Sequence, residues 1–340
     1  MADTQHIQDA TAGGQLDSPS TEDYNQIDPG VLDTFPPARF PVDLYQFKEQ
    51  AGMLTRIYLA GDEVSNSLRT RFRQLSEEGS LFFTRKQIEQ YSASVAGDID
   101  AALADPNLTW EEKSNIFIGE LKQRQDDFFA QPMPDELARL TRTLEALCQY
   151  IVEKPIRIAR VVHHMHTTLT PARRRVNASL MGLTIYTEIH RSGLTADTLT
   201  SIALGFFLYD VGMTKVSHLM IGRRQKLTPI EQRTVQGHPN KSVEILARLK
   251  ITQPEILEPA IQHHERLNGK GYPNQLAGEH IGHLGRIIGI ADTYSAMITD
   301  TPQRKGFSTV EAAAELIKND ESYDPVICRA LVRFLQTVPS

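Results

Sequence analysis

Residues 262–273 read Gln-His-His-Glu-Arg-Leu-Asn-Gly-Lys-Gly-Tyr-Pro, and no other stretch limits the fold of this chain as much. His263 and His264 close an apolar helical run from Ile256 to Ile261, and a glycine-punctuated turn, Gly269-Lys270-Gly271-Tyr272-Pro273, follows. Neutral imidazoles are common transition-metal ligands. Glycine at two turn positions lets the backbone approach a ligand closely or take up positive φ. A histidine pair at a helix end is ordinarily a favourable pairing with the helix dipole. With the loop attached, the pair reads instead as a metal site with an anion-binding lip.

Three further apolar runs end in ligand-type side chains. Asp210 closes the stretch Ile202 to Leu208, and Asp292 closes Ile287 to Ala291. His238 follows a helix that opens at Thr228-Pro229-Ile230-Glu231, a capping box with proline at its first helical position. A buried, unpaired carboxylate is costly unless a cation or hydrogen bonds compensate it. Carboxylate oxygen combined with imidazole nitrogen suits iron, manganese or zinc rather than calcium.

The set Asp210, Gly212, Gly237-His238-Pro239, His263-His264-Glu265, Gly269-x-Gly271-Tyr272-Pro273 and Ala291-Asp292 resembles the HD-GYP family over roughly residues 155 to 335. These are HD-superfamily phosphohydrolases that cleave cyclic di-GMP. The resemblance implies a mainly α fold, an all-helical bundle around two or three metals that activate water and neutralise phosphoryl charge. It implies metal-ligand roles for Asp210, His238, His263, His264 and Asp292. It also implies ligand contacts from Gly269, Lys270, Gly271, Tyr272, Pro273 and Arg286, and from Arg223, which falls where the family carries a phosphate-contacting lysine. The implied partners are cyclic di-GMP or a related cyclic dinucleotide, and diguanylate-cyclase-type or other signalling proteins.

Three positions depart from the family pattern. Where the family has His-Asp-x-Gly-Lys, this chain has Tyr209-Asp210-Val211-Gly212-Met213. Alignment of the preceding ligand helix places Arg174 where the family's first metal histidine belongs. Asp210, implied to bridge two metals, then keeps one complete set with His238, His263 and His264. The other metal retains only Asp210 and Asp292, beside a guanidinium that cannot ligate. One divalent ion rather than two is therefore expected, iron or manganese ahead of zinc, with little or no hydrolysis. His166, four residues before Thr170 and eight before Arg174, is a substitute ligand only if the helix runs through Pro171, which interrupts the hydrogen-bond ladder.

The rest of the chain is organised around that domain. Residues 1–38 carry Gly13-Gly14 and Ser18-Pro19-Ser20 and read as a disordered tail. Residues 39–105 read as a small α/β module, with strands at Arg56–Leu59 and Leu81–Thr84, helical spacing from Val64 to Leu75 between them, and a longer single helix from Lys86 to about Ala104. Residues 106–154 read as a helical linker, capped by Thr109-x-x-Glu112. Leu137, Leu140, Leu144, Leu147 and Ile151 line one face there, serving as core or as a homodimer seam. Residues 155–340 form the HD-GYP-like domain.

A net charge of −6 disfavours nonspecific nucleic-acid binding. A bound dinucleotide then needs local cations, for which Arg173, Arg174, Arg175, Arg223, Arg224 and Lys270 are candidates. Cys148 and Cys328 lie in apolar helical stretches and read as reduced core residues. No signal peptide is visible, and no apolar run approaches the ~18 residues of a membrane span, so a cytoplasmic protein is expected.

Overall fold

The computed structural model describes residues 23–48, 51–167, 169, 173–217, 227–301 and 304–337. The chain divides into two compact units, Met1–Asn107 and Leu108–Ser340.

The first unit is built on an antiparallel sheet of β1 (Tyr24–Gln26), β2 (Leu44–Lys48), β3 (Met53–Tyr58) and β4 (Leu81–Thr84), in the order β1-β4-β2-β3. The two strands read from sequence are β3 and β4; β1 and β2 are additional. Around the sheet lie α1 (Pro29–Leu32), α2 (Asn66–Glu77), α3 (Ile88–Val95) and α4 (Ile99–Ala104). Phe35, Phe40, Phe72, Phe83 and Tyr91 are buried, and Phe83 stacks on Tyr91 at 4.0 Å.

Two readings need correction here. Residues 23–38 are not tail: β1 pairs with β4, and Ile27, Val31, Leu32 and Phe35 are buried. Asp28 caps α1 by accepting from Gly30 N at 2.8 Å. Averaging composition over the whole stretch hid this short apolar segment; residues 1–22 lie outside the described residues. The expected single helix over 86–104 is two, because Gly97-Asp98 interrupts it and Asp98 accepts from Ala101 N to start α4.

The second unit is helical. It comprises α5 (Trp110–Ala130), α6 (Pro134–Glu153), α7 (Ile156–Thr167), α8 (Arg174–Ile189), α9 (Ala196–Leu208) and α10 (Pro229–Gln236). It continues with α11 (His238–Arg248), α12 (Pro254–Gln262), α13 (His283–Ile298), α14 (Thr309–Lys318) and α15 (Pro325–Thr337). The capping boxes at Thr109/Glu112, Thr228/Glu231 and Ser308/Glu311 all form, satisfying N–H groups that a helix start otherwise leaves unpaired.

Residues 106–154 are not a linker. Helix α6 packs on α9, and α5 packs on α7. Leu140, Leu144, Leu147 and Ile151 are fully buried, so the stripe is core rather than a dimer seam. Gln125 donates to the Phe207 carbonyl at 2.7 Å, tying α5 to the end of α9. Cys148 and Cys328 are buried and free, and burial pushes both thiols up to about 12. Among the described residues no helix is long and apolar enough to cross a membrane.

Helices α8 and α13 form the most extensive helix pair and run antiparallel. Arg174, opening α8, meets Asp292 well along α13, whereas His190, just past α8, meets His283, which opens α13. This pair and the ends of α9, α11 and α12 position the site.

Candidate metal centre

Four elements deliver ligand-type side chains to one buried place. Asp210 follows α9 and is 5% exposed. Gly212, two residues on, lets that turn press against α11: a Cβ there would lie 2.0 Å from the His238 carbonyl oxygen. The Gly212 N–H donates to Ser242 Oγ at 2.8 Å. His238 opens α11, and His263 ends α12 with His264 beside it. His238 and His263 are almost wholly buried.

The ligand nitrogens of His238, His263 and His264 all lie within 4.8 Å of one another. His238 Nε2 is 2.9 Å from His263 Nε2 and 3.3 Å from Asp210 Oδ1. The far sides of the two rings are committed, since His238 Nδ1 donates to the Val235 carbonyl at 2.6 Å and His263 Nδ1 to that of Pro259 at 3.0 Å. Those bonds place the protons on Nδ1 and leave two Nε2 lone pairs facing each other. Burial, reinforced by mutual repulsion, pushes His263 down to about 3 and His264 well below its usual value; burial also lowers His238. The imidazoles are thus neutral, the form that binds metal. Two nitrogens about 2.9 Å apart, each ~2.05 Å from one ion, subtend about 90° at it. The three histidines therefore fit a divalent transition metal, and Asp210 lies beside them, 3.3 Å from His238, without closing into the same cluster.

The two carboxylates are treated differently. Burial, together with the negative charge of Asp292, pushes Asp210 up to about 7. Burial would raise Asp292 as well, but the Arg174 guanidinium, helped by the Tyr209 hydroxyl, outweighs it and holds Asp292 below its usual value. Arg174 Nη1 donates to Asp292 Oδ1 at 3.1 Å, and Tyr209 Oη donates to the same oxygen at 2.7 Å. Arg174 and Tyr209, the two residues expected to replace family ligands, therefore converge on one oxygen of Asp292. Tyr209 also presents its ring to His263 at 4.9 Å.

The glycine loop sits directly on the histidine turn. A Cβ on Gly271 would lie 2.5 Å from His264 O, Glu265 Cα and Arg266 N, so only glycine permits this approach. Tyr272 N donates to His264 O at 3.2 Å, and its ring stacks on His264 at 4.6 Å. Gly269 has φ +71, Lys270 is exposed at the tip, and Pro273 is half-buried.

Other candidates are placed elsewhere. Arg286 donates to Asp324 Oδ2 at 2.9 Å and to the Ile281 carbonyl at 2.9 Å. Met213 is half-buried in the turn after Asp210. His166 bonds to Tyr294 Oη at 3.3 Å and does not join the histidine cluster. Arg223 and Arg224 lie outside the described residues.

Two residues of the motif have structural roles that sequence reasoning did not assign. Glu265 is buried and accepts from Asn274 N at 2.7 Å and Leu276 N at 3.0 Å, which shapes the loop. Arg266 donates to the His263 and Glu265 carbonyls and lies over the Tyr323 ring at 5.0 Å. A charged pair immediately after two histidines was the available signal.

A family model described as HD domain matches residues 169–327. The chain is 31% identical over 136 residues to the cyclic di-GMP phosphodiesterase PA4108 of Pseudomonas aeruginosa, covering 40% of this chain and 33% of that protein. It is 30% identical over 158 residues to 3'3'-cGAMP-specific phosphodiesterase 3 of Vibrio cholerae, covering 46% of this chain and 34% of the relative. It is 30% identical over 144 residues to the cyclic di-GMP phosphodiesterase response regulator RpfG of Xanthomonas campestris, covering 42% of this chain and 38% of the relative. The matched region thus spans little more than a third of these relatives. Among solved structures, Bd1817, an HDG"Y"P protein from Bdellovibrio bacteriovorus, matches with a TM-score of 0.61 at 15% identity, covering 92% of this chain and 100% of that one. That likeness concerns the fold.

Proposed function

We propose that the chain is an HD-GYP-type member of the HD-domain proteins and that it binds cyclic di-GMP or a related cyclic dinucleotide with little or no hydrolysis. The reading rests on one observation: Arg174 and Tyr209 both donate to Asp292 Oδ1, at 3.1 and 2.7 Å. A carboxylate oxygen engaged by a guanidinium and a hydroxyl is a poor metal ligand, so the centre holds one divalent transition metal ion rather than two.

Asp210, His238, His263 and His264 would hold that ion. When bound, it supplies positive charge against a phosphoryl oxygen. Arg174 keeps a fixed positive charge at Asp292, where a second ion would sit. A guanidinium stays protonated and neutralises anions, but it does not activate water as a metal does. Tyr272 offers a ring beside His264, and Lys270 brings an exposed cation to the loop tip. Binding therefore outlasts turnover in this arrangement. The named activities of the relatives support the substrate class, and partners of the signalling type follow from it.

The test measures metal per chain, cyclic di-GMP binding and cyclic di-GMP hydrolysis on one as-purified sample. About one ion with tight binding and no turnover supports the reading. Two ions with turnover would overturn it in favour of a working phosphodiesterase with an altered centre. Neither metal nor ligand would leave only a protein-interaction scaffold.

A further inference from the structure

The antiparallel pair α8 and α13 is fastened at both ends. One fastening is the Arg174–Asp292 ion pair already described. At the other, His190 Nε2 faces His283 Nε2 at 3.3 Å, with ring centroids 5.4 Å apart and planes at 87°. Both rings are half-buried, so they are held in place yet open to solvent on one side. The His190 ring lies against Tyr186 at 4.4 Å, which limits its rotation.

We propose that His190 and His283 form a second metal site, a two-imidazole clamp for a divalent ion of the zinc, copper or nickel class. Two nitrogens each ~2.0–2.1 Å from one tetrahedral ion stand about 3.3–3.4 Å apart, the separation these rings already have. The ion would enter without rearranging either helix, and water would complete its coordination.

The surroundings favour a neutral ring and a nearby cation together. His283 is the first residue of α13, where the helix dipole opposes protonation of the ring. Burial, His190 and Arg286 lower His283, while Asp324 and Glu258 act in the opposite direction. Glu258 accepts from Leu284 N and Gly285 N at 2.7 and 3.0 Å, so a carboxylate is packed beside the clamp. That negative charge suits an ion bound to neutral ligands. The site shares no residue with the His238 cluster, and it stands whether or not the chain hydrolyses a dinucleotide.

An ion here braces the helix pair that carries Arg174 and Asp292 at its other end. The competing arrangement is a plain hydrogen bond in which one imidazole donates to the other, with no affinity for metal. Titration of metal-stripped full chain with zinc alone separates the two. Wild type should take up about one more ion per chain than His283→Gln, and its melting temperature should rise further with zinc than that of the variant. His190→Ala should lose the same ion, and serves if the first variant misfolds. Copper(II) added to a His263→Ala chain should show a spin-resonance signal split by two nitrogens that is lost when His190→Ala is added to the same chain. Equal zinc uptake by wild type and both variants, or no two-nitrogen copper signal, would overturn the proposal and leave a hydrogen-bonded imidazole pair.

Discussion

Replacing Arg174 by methionine in the metal-stripped protein tests whether the guanidinium acts as a built-in counter-charge. The Asp292 side chain is 10% exposed and that of Arg174 34%, with their atoms 3.1 Å apart. Removing one partner of a buried pair typically costs about 3–5 kcal/mol, because the remaining charge is stranded. Here a third of the arginine surface already faces water, and Tyr209 continues to donate to the carboxylate, so the loss should shrink to about 2–3 kcal/mol. The effect must depend on pH. In wild type the depressed Asp292 contributes stability above its unfolded value of 3.8, and that stability is lost only as pH falls through the still lower folded value. Without Arg174, burial acts with less opposition and the folded value rises. The variant then takes up a proton at milder acidity, and its deficit relative to wild type narrows between about pH 7.5 and about pH 5. Urea unfolding followed by circular dichroism at both pH values measures this. Arg175→Met is the control: its pair with Asp126, at 3.2 Å and with both side chains 36% exposed, should be worth about 1 kcal/mol or less. A deficit for Arg174→Met below about 0.5 kcal/mol, or one that does not change with pH, would refute the counter-charge reasoning.

Either His263→Ala or His264→Ala should strip the bound ion, since each removes one of the three clustered imidazoles; full metal content in both variants would sink the centre as drawn. Tyr209→His combined with Arg174→His should raise occupancy by about one ion per chain on elemental analysis, by releasing Asp292 to ligate. Unchanged occupancy would mean that these two positions are not the lost ligands. Tyr209→Phe should cost about 1.5–3 kcal/mol in denaturant unfolding, the worth of a hydrogen bond to a charged group. Gly271→Ala should weaken cyclic di-GMP binding while leaving metal content intact, because its Cβ would lie 2.5 Å from three backbone atoms and must push the loop off His264. Wild-type affinity in that variant would show that the loop takes no part in binding.

Much of the site was legible in the chain because its signals are local. Asp210, His238 and His263 end or open helices at places marked by apolar runs, caps and glycines, and such features act over a few residues; Asp292, read as closing an apolar run, lies inside α13. The three capping boxes form as read. Gly271 needs to be glycine for a reason contained within its own loop, since the atoms it would strike belong to His264, Glu265 and Arg266. Readings based on averages over longer stretches fared worse. Residues 23–38 contain one short buried segment inside a polar tract, and α5 and α6 read as a linker only until their partners α7 and α9 are known.

The sequence by itself determined which ligand chemistries are present and that Tyr209 and Arg174 stand where the HD-GYP resemblance leads one to expect histidines. Tertiary structure alone decided what those replacements do. Arg174 and Tyr209 lie 118 and 83 residues from Asp292 and meet on a single carboxylate oxygen. It also committed Arg286 to Asp324, 38 residues on, and set His190 against His283 across 93 residues. Propensity, capping and turn chemistry operate between near neighbours, whereas the partner of a buried charge is chosen by how whole helices pack. The antiparallel docking of α8 on α13 brings Arg174 to Asp292 and His190 to His283, whereas Tyr209 arrives from the end of α9 and Asp324 from just before α15.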